Sequence, residues 1–254
     1  MANFLRNFRH AESLKWAGGK RQLLAQIVAS LPDELAQGGI DRYIEPFLGG
    51  GAVFLHIAQN YSIAESYLAD RNEELALAYQ SVQQRVEEVI AALDSMERVY
   101  TGISPAQQKS YFYAVRSQFN AERPQTDFSC PSPHSVKRTA QLIFLNRTCF
   151  NGLFRVNAKG EFNVPFGSYT NPLLCDADNL RVVSGSWATP VFCTATLLSV
   201  NLTWGHAHLF TSIRPIVPSA PAPASTPIPN SLLTTKPTSG WRLSIGRWMA
   251  KGQS

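Results

Sequence analysis

Three consecutive glycines at positions 49 to 51 lie between Glu45-Pro46-Phe47-Leu48 and Ala52-Val53-Phe54. An apolar strand that runs into such a turn and then into a helix lets the backbone approach a nucleotide-like ligand, with helix amides left to bind it. Nineteen residues past Gly51, Tyr67-Leu68-Ala69 ends in Asp70, where a second strand would present an acid to ribose hydroxyls. A cap on the following helix is the rival role for Asp70, and both can hold together. Thiol and metal chemistry find no such support. Cys130, Cys149, Cys175 and Cys193 show no C-x-x-C pairing and no neighbouring histidine, which reads as ordinary reduced thiols and no metal site.

The elements that must position these residues follow from periodicity. Lys20 to Leu31 carries Leu23, Leu24, Ile27, Val28 and Leu31 at helical spacing, and Pro32 stops it. Arg42 to Ile44 reads as a first strand, Val53 to Ala58 as the opening of a helix, and Ser66 to Ala69 as a second strand. Glu73 to Leu93 is helical, its buried stripe formed by Leu75, Ala78, Tyr79, Val82, Val86, Val89 and Ile90. Ser104 and Pro105 have the form of an N-cap and first helical residue, beginning a helix through about Phe119. Pro124 to Pro133 is loop, and Val136 to Leu145 is a helix or a helix entering a strand. Arg155 to Val164 alternates around Ala158-Lys159-Gly160, a hairpin whose glycine takes the left-handed position. A short helix or turn over Asn179 to Val183 and a strand over Pro190 to Phe192 complete an α/β pattern.

Composition bounds the function. At 254 residues and 44% apolar the chain can bury a full core, and no run approaches the roughly 18 apolar residues of a membrane span. The first ten residues lack the apolar stretch of a signal peptide, so the expected location is the cytoplasm. The net charge of +5 invites a nucleic-acid reading, but residues 1 to 178 hold all 18 acids against 17 Lys and Arg. The surplus belongs to residues 179 to 254, with six basic residues and no acid, so the isoelectric point says nothing about DNA binding by the folded part. From Ile213 to Pro237 seven prolines interleave with Ala, Ser and Thr and no periodicity survives, the composition of a disordered segment.

Four stretches together resemble the Dam-type, D12-class DNA adenine-N6 methyltransferases: Leu14-Lys15-Trp16-Ala17-Gly18-Gly19-Lys20; Glu45 to Phe54; Leu68-Ala69-Asp70-Arg71-Asn72; and Leu145 to Asn157 with Gly160 to Gly167. They stand in family order and cover about residues 12 to 195. The resemblance implies a Rossmann-like S-adenosylmethionine-dependent methyltransferase sheet with a helical DNA-recognition insertion. Its cofactor would be S-adenosyl-L-methionine and its partner double-stranded DNA, with no membrane and no metal. On that likeness Trp16 offers a flat face to the cofactor's adenine and Lys20 a cation to its carboxylate. Gly49 and Gly51 let backbone approach the methionine portion, and Asp70 accepts from the ribose hydroxyls. In the resembling hairpin, Arg155 and Asn157 can read base edges, and Arg147 and Lys159 suit phosphates. Lys15 and Asn151 belong to the same DNA-binding set.

The family's chemistry also needs an Asp-Pro-Pro-Tyr tetrad at the end of a later strand. The Asp carboxylate and a proline carbonyl accept the two N–H bonds of the adenine amino group, localising its lone pair, and the Tyr stacks on the flipped base. This chain has no such tetrad and no acid after Asp178, so no catalytic residue can be assigned; Ser212-Ile213-Arg214-Pro215-Ile216 stands where the tetrad should fall. Codons UCG AUC CGC CCU AUC for those five residues, read from the final G of the first, give GAU CCG CCC UAU, which is Asp-Pro-Pro-Tyr. The same shift lets Thr196-Leu197 yield Asp-Phe and Ala224 to Ile228 yield Phe-Asn-Ser-Tyr, both familiar in the family. Three family features in one alternative frame point to a reading frame shifted from about Thr194–Thr196 onward.

The expected organisation is therefore a cofactor-binding part over residues 1–74, a DNA-recognition insertion over 75–170, a return to the sheet over 171–195, and an aberrant, disordered Pro-rich tail over 196–254. Later strands of the sheet are expected to be missing, leaving an exposed edge. The expected activity is methyl transfer to adenine N6 in duplex DNA, with this polypeptide inactive as written. A non-catalytic cofactor- or DNA-binding remnant is the alternative. A dinucleotide-dependent oxidoreductase is disfavoured because Glu-Pro precedes the glycines and the second Gly-x-x-Gly interval is absent.

Overall fold

A computed structural model describes residues 23–185, together with the backbone of strands at 190–193, 208–215, 233–234 and 241–248. Its sheet is built outward from β1 (Arg42–Glu45), in which Tyr43, Ile44 and Glu45 are all buried. Such a strand is covered on both faces, as parallel strands are. β2 (Glu65–Ala69) pairs parallel with β1, Ile44 opposite Tyr67, and β3 (Pro190–Cys193) pairs parallel with β2. On the other side of β1 lies β4 (His208–Pro215), also parallel, with Ile44 opposite Phe210. β6 (Trp241–Trp248) runs antiparallel to β4, and the two-residue β5 (Leu233–Thr234) pairs with β6. The order is β3-β2-β1-β4-β6-β5.

β4 stands beside β1, and β4, β5 and β6 all fall within residues 196–254, expected to form an aberrant tail. Trp241, Leu243 and Ile245 alternate with Arg242, Ser244 and Gly246, and Leu209-Phe210-Thr211 is a run of strand-forming residues.

The helices follow their caps. α1 (Leu24–Ala29) buries Leu24 and Ile27, and a one-turn α2 (Asp33–Ala36), which periodicity did not reveal, follows Pro32. α3 (Ala52–Asn60) leaves the glycine turn. α4 (Glu73–Thr101) starts at Asn72, whose side chain accepts from the Glu74 amide at 3.1 Å, and Glu73 and Glu74 place negative charge at the positive helix end. It runs past the expected Leu93 because Leu93 and Tyr100 continue the buried face. Arg85 leaves helical geometry (φ −141°, ψ 40°), and beside that kink Val86 is only half-buried.

α5 (Pro105–Glu122) opens with the Ser104 N-cap and Gln107 reciprocating at 2.9 Å. α6 (Pro133–Thr148) resolves the alternative at Val136–Leu145 in favour of helix, and α7 (Ala177–Gly185) returns the chain to β3. α4 and α6 bury their faces against one another, with Phe144 edge-on to Tyr100 and Tyr111 at 5.5 and 5.4 Å between centroids. None of the helices among the described residues is long and apolar enough to cross a membrane.

Candidate functional site

The glycine turn sits at the carboxyl end of β1, between β1 and the first turn of α3. Its backbone demands glycine at two places. Gly49 has φ 55° and Gly51 φ 73°, the left-handed region that side chains disfavour. At Gly51 a Cβ would also stand 2.7 Å from the Tyr79 hydroxyl of α4. That hydroxyl donates to the Gly49 carbonyl at 3.2 Å, so α4 braces the turn from behind. The Leu48 amide donates to the Ala69 carbonyl at 3.0 Å, stitching the turn to the end of β2.

Asp70 follows that stitch. Its Oδ2 accepts from the Gly49 amide at 2.8 Å and its Oδ1 from the Asn72 amide at 2.9 Å. Capping falls to Asn72, so of the two roles weighed for Asp70 the cap belongs to its neighbour. A carboxylate offers about four lone-pair sites, and each Asp70 oxygen spends one on a backbone amide. The half-buried carboxylate thus has acceptor capacity left for a ligand's hydroxyls. Beside it, the amino end of α3 carries no acidic residue in its own first turn. Gly49, Gly51 and Asp70 are brought together. Trp16, Lys20 and Lys15 lie outside the described residues.

Two buried groups behind the turn were not legible in the sequence. Glu45 accepts from the Tyr43 hydroxyl at 2.7 Å, both side chains being fully buried. His56, on α3, is 1% exposed, and burial lowers its pKa from the ordinary 6.5. Among the described residues no group of His, Cys, Asp and Glu is placed to hold a metal ion. Cys149 is buried and Cys130 exposed, while burial and the nearby Glu97, Asp94 and Asp176 push the Cys175 thiol up to about 11.

The second cluster is the hairpin that follows α6. Phe150–Gly152 forms a tight turn in which Asn151 (φ 56°) and Gly152 (φ 61°) are both left-handed. Asn is among the few side chains that tolerate this conformation. Val156 then pairs antiparallel with Phe162, and Gly160 at φ 78° takes the left-handed position assigned to it. Arg155 and Lys159 are exposed, as is Asn151, and Arg147 is half-buried in the last turn of α6. The Arg155 Nε donates to Asn163 Oδ1 across the hairpin at 2.7 Å.

Asn157 is differently employed. Its Oδ1 accepts from the Lys159 and Glu161 amides at 2.9 and 3.0 Å, and its Nδ2 donates to Glu161 at 2.7 Å, so its carboxamide is spent on shaping the hairpin tip. Phe150, which the sequence reading did not single out, is 52% exposed beside Asn151.

A braced glycine turn and a hairpin bearing cationic side chains thus share one chain, in the order of the four sequence stretches. The model of the D12 class N6 adenine-specific DNA methyltransferase family matches residues 16–186. The chain is 47% identical over 171 residues to the type II methyltransferase M.MjaIII of Methanocaldococcus jannaschii, covering 67% of this chain and 57% of that protein. It is 35% identical over 184 residues to the DNA adenine methylase of Haemophilus influenzae, covering 72% and 56%, and 35% identical over 165 residues to that of Escherichia coli, covering 65% and 50%. The chain therefore spans about half the length of these curated relatives. With the glycine turn, its acid and the hairpin all inside the matched region, the chain belongs to the D12 class of N6 adenine-specific DNA methyltransferases.

Proposed function

We propose that residues 1–74 form the cofactor-binding part of a Rossmann-like methyltransferase sheet, that residues 75–170 are its DNA-recognition insertion, and that residues 171–195 return to the sheet. The reaction would be transfer of a methyl group to adenine N6 in duplex DNA. The observation that carries this reading is the Asp70 carboxylate, fixed by two backbone amides at the glycine turn with acceptor capacity to spare. S-adenosyl-L-methionine would supply an electrophilic methyl group. Asp70 would hold its ribose hydroxyls, Gly49 and Gly51 would let the backbone approach its methionine end, and Trp16 and Lys20 would take its adenine and carboxylate.

On the DNA side, Arg155 would read a base edge, Arg147 and Lys159 would meet phosphates, and Lys15 would contact DNA beside the cofactor residues. Asn151 would lie at the base of that contact. Asn157, whose carboxamide is spent on the tip, would act by shaping the hairpin.

The missing tetrad bears on activity. The β4 register, with Ile44 opposite Phe210, carries Ser212 to Pro215 beyond the carboxyl end of β1, on the side of the glycine turn. That is where residues acting on a substrate beside the turn would need to stand. No acid is present there to hold an amino group. The proposal is accordingly a chain of methyltransferase descent, shifted in frame after about Thr194–Thr196 and with negligible activity as written. Sequencing codons 190 to 216 tests the shift: an AUA codon at Ile213 or an AGA codon at Arg214 rules out the alternative tetrad.

Calorimetric titration with S-adenosylmethionine tests the fold-level reading. Binding by this chain, together with methyl transfer gained only in a frame-restored version, is the expected result. Protection of plasmid DNA by the chain as written would refute its inactivity. The absence of any acid after Asp178 favours a second reading, a non-catalytic cofactor- or DNA-binding remnant. Tight DNA or cofactor binding without methyl transfer identifies it.

A further inference from the structure

Between the two clusters runs a continuous series of directional contacts. It begins at the glycine turn, where Asp70 accepts from Gly49 and from Asn72. Asn72 accepts from the Glu74 amide at 3.1 Å. The Glu74 side chain, 4% exposed, takes a two-pronged contact from Arg138 of α6, with Nε to Oε2 at 2.7 Å. Arg138, itself 1% exposed, uses its remaining nitrogen to donate to the Phe119 carbonyl of α5 at 2.9 Å, and its guanidinium lies 4.0 Å from the Phe119 ring centroid. The next residue, Asn120, grips the hairpin backbone at both ends of its amide, donating to the Phe162 carbonyl at 3.1 Å and accepting from the Phe162 amide at 2.8 Å.

A second branch runs alongside. Arg123 donates to Glu74 and, at 3.2 Å, to Glu73, and its Nε would stand 3.4 Å from a Cβ placed on Gly160 at the hairpin tip.

Apolar packing would hold these elements together without this arrangement, since a buried ion pair seldom outperforms well-packed hydrophobic residues in stability. What the ion pair adds is direction. A guanidinium is a planar fork whose donors leave at fixed angles. One carboxylate held by two such forks fixes the start of α4, the end of α5 and the body of α6 in one mutual orientation. We propose that Glu74 and Arg138 are positioning residues that tie the acid of the glycine turn to the DNA-reading hairpin, so that cofactor at one end and duplex at the other strengthen each other's binding. This rests on the proposed function for the identity of the two ligands. Ligand that immobilises Asp70 removes slack from Asn72, Glu74 and Arg138, and hence from Phe119, Asn120 and the Phe162 backbone. Linkage requires the effect to be equal in both directions.

The test uses the full chain, a short DNA duplex, and S-adenosylhomocysteine as a cofactor that cannot react. Saturating S-adenosylhomocysteine is expected to tighten duplex binding on the order of tenfold in the unmodified chain. In Glu74→Gln and in Asn120→Ala that ratio falls to about one, while S-adenosylhomocysteine affinity without DNA stays unchanged. Asn120→Ala keeps the buried ion pair, so it decides the matter even where Glu74→Gln folds poorly. A ratio that both variants leave intact overturns the proposal. Hydrogen–deuterium exchange in the free chain separates this from a failure of the proposed function. If the unmodified chain binds neither ligand, the functional reading falls. The mechanical link is then judged by the Phe162 amide alone: faster exchange there in Glu74→Gln supports it, and unchanged exchange refutes it.

Discussion

The glycine turn and the hairpin both depend on left-handed backbone, yet they hold it by different means. The turn is braced by its immediate neighbours in the sheet and on α4: Asp70 takes the Gly49 amide, Leu48 is tied to Ala69, and Tyr79 takes the Gly49 carbonyl. The hairpin makes backbone bonds of its own, the Asn157 amide to the Glu161 carbonyl at 2.9 Å and the Asn163 amide to the Arg155 carbonyl at 3.0 Å, around bridges at Val156–Phe162 and Cys149–Phe166, and adds contacts from a different element. Arg116 donates to the Val164 carbonyl at 3.1 Å and Asn120 pairs with Phe162, so α5 serves as the neighbouring strand the hairpin lacks. The glycine turn is thus held by the sheet and α4 behind it, whereas the hairpin adds to its own backbone bonds a support from α5.

The largest expected effect strikes both regions at once. Glu74→Ala leaves Arg138 buried with its charge uncompensated, and urea denaturation should show a loss of about 3–5 kcal/mol. Next is Gly51→Ala, which forces a side chain into the left-handed region, at about 1–2 kcal/mol, and drives it onto the Tyr79 hydroxyl. The same substitution in a Tyr79→Phe background should cost less. Equal costs in the two backgrounds would show that the bracing from α4 is immaterial.

The comparison is sharpened on the hairpin side by Lys159→Ala. If Lys159 meets a phosphate, the slope of log affinity against log salt should fall by about one, uniformly across DNA sequences. Arg155→Ala should instead lose about 1–3 kcal/mol of discrimination at one base position, read by competition among duplex variants. Neither variant should alter cofactor binding.

The smallest effect belongs to the turn side. Burial lowers the His56 pKa, so the folded state takes up a proton less readily than the unfolded chain. Stability is then complete above the unfolded value of 6.5 and is lost as pH falls below it toward the lowered folded value. Thermal melts between about pH 7.5 and about pH 5.5 should show that decline, and His56→Gln should flatten it.

The glycines, Asp70 and the hairpin around Gly160 were legible in the sequence because each rests on a local rule. A left-handed position selects glycine, an acid ends a strand, and alternation around a turn marks a hairpin. α4 and the capped starts of α5 and α6 are local in the same sense. The roles of Asn157 and Asp70 were less so. Asn157 has the chemistry to read adenine, and only the folded tip reveals that Lys159 and Glu161 occupy its carboxamide. The pairing of β1 with β2 was not legible either, because strand pairing joins residues far apart in the chain.

By itself, the sequence determined the family, the glycine turn with its acid, the hairpin, and the absence of an Asp-Pro-Pro-Tyr tetrad, since each is a matter of residue type and spacing. The tertiary structure alone decided that Arg138 and Glu74, 64 positions apart, meet in a buried ion pair joining the two regions. It also decided that Asn120 closes on Phe162 across 42 positions. An arginine in a helix gives no sign in the sequence of whether it will face water or a carboxylate. Only the packing of α4 against α5 and α6, which removes water from both partners, settles that choice.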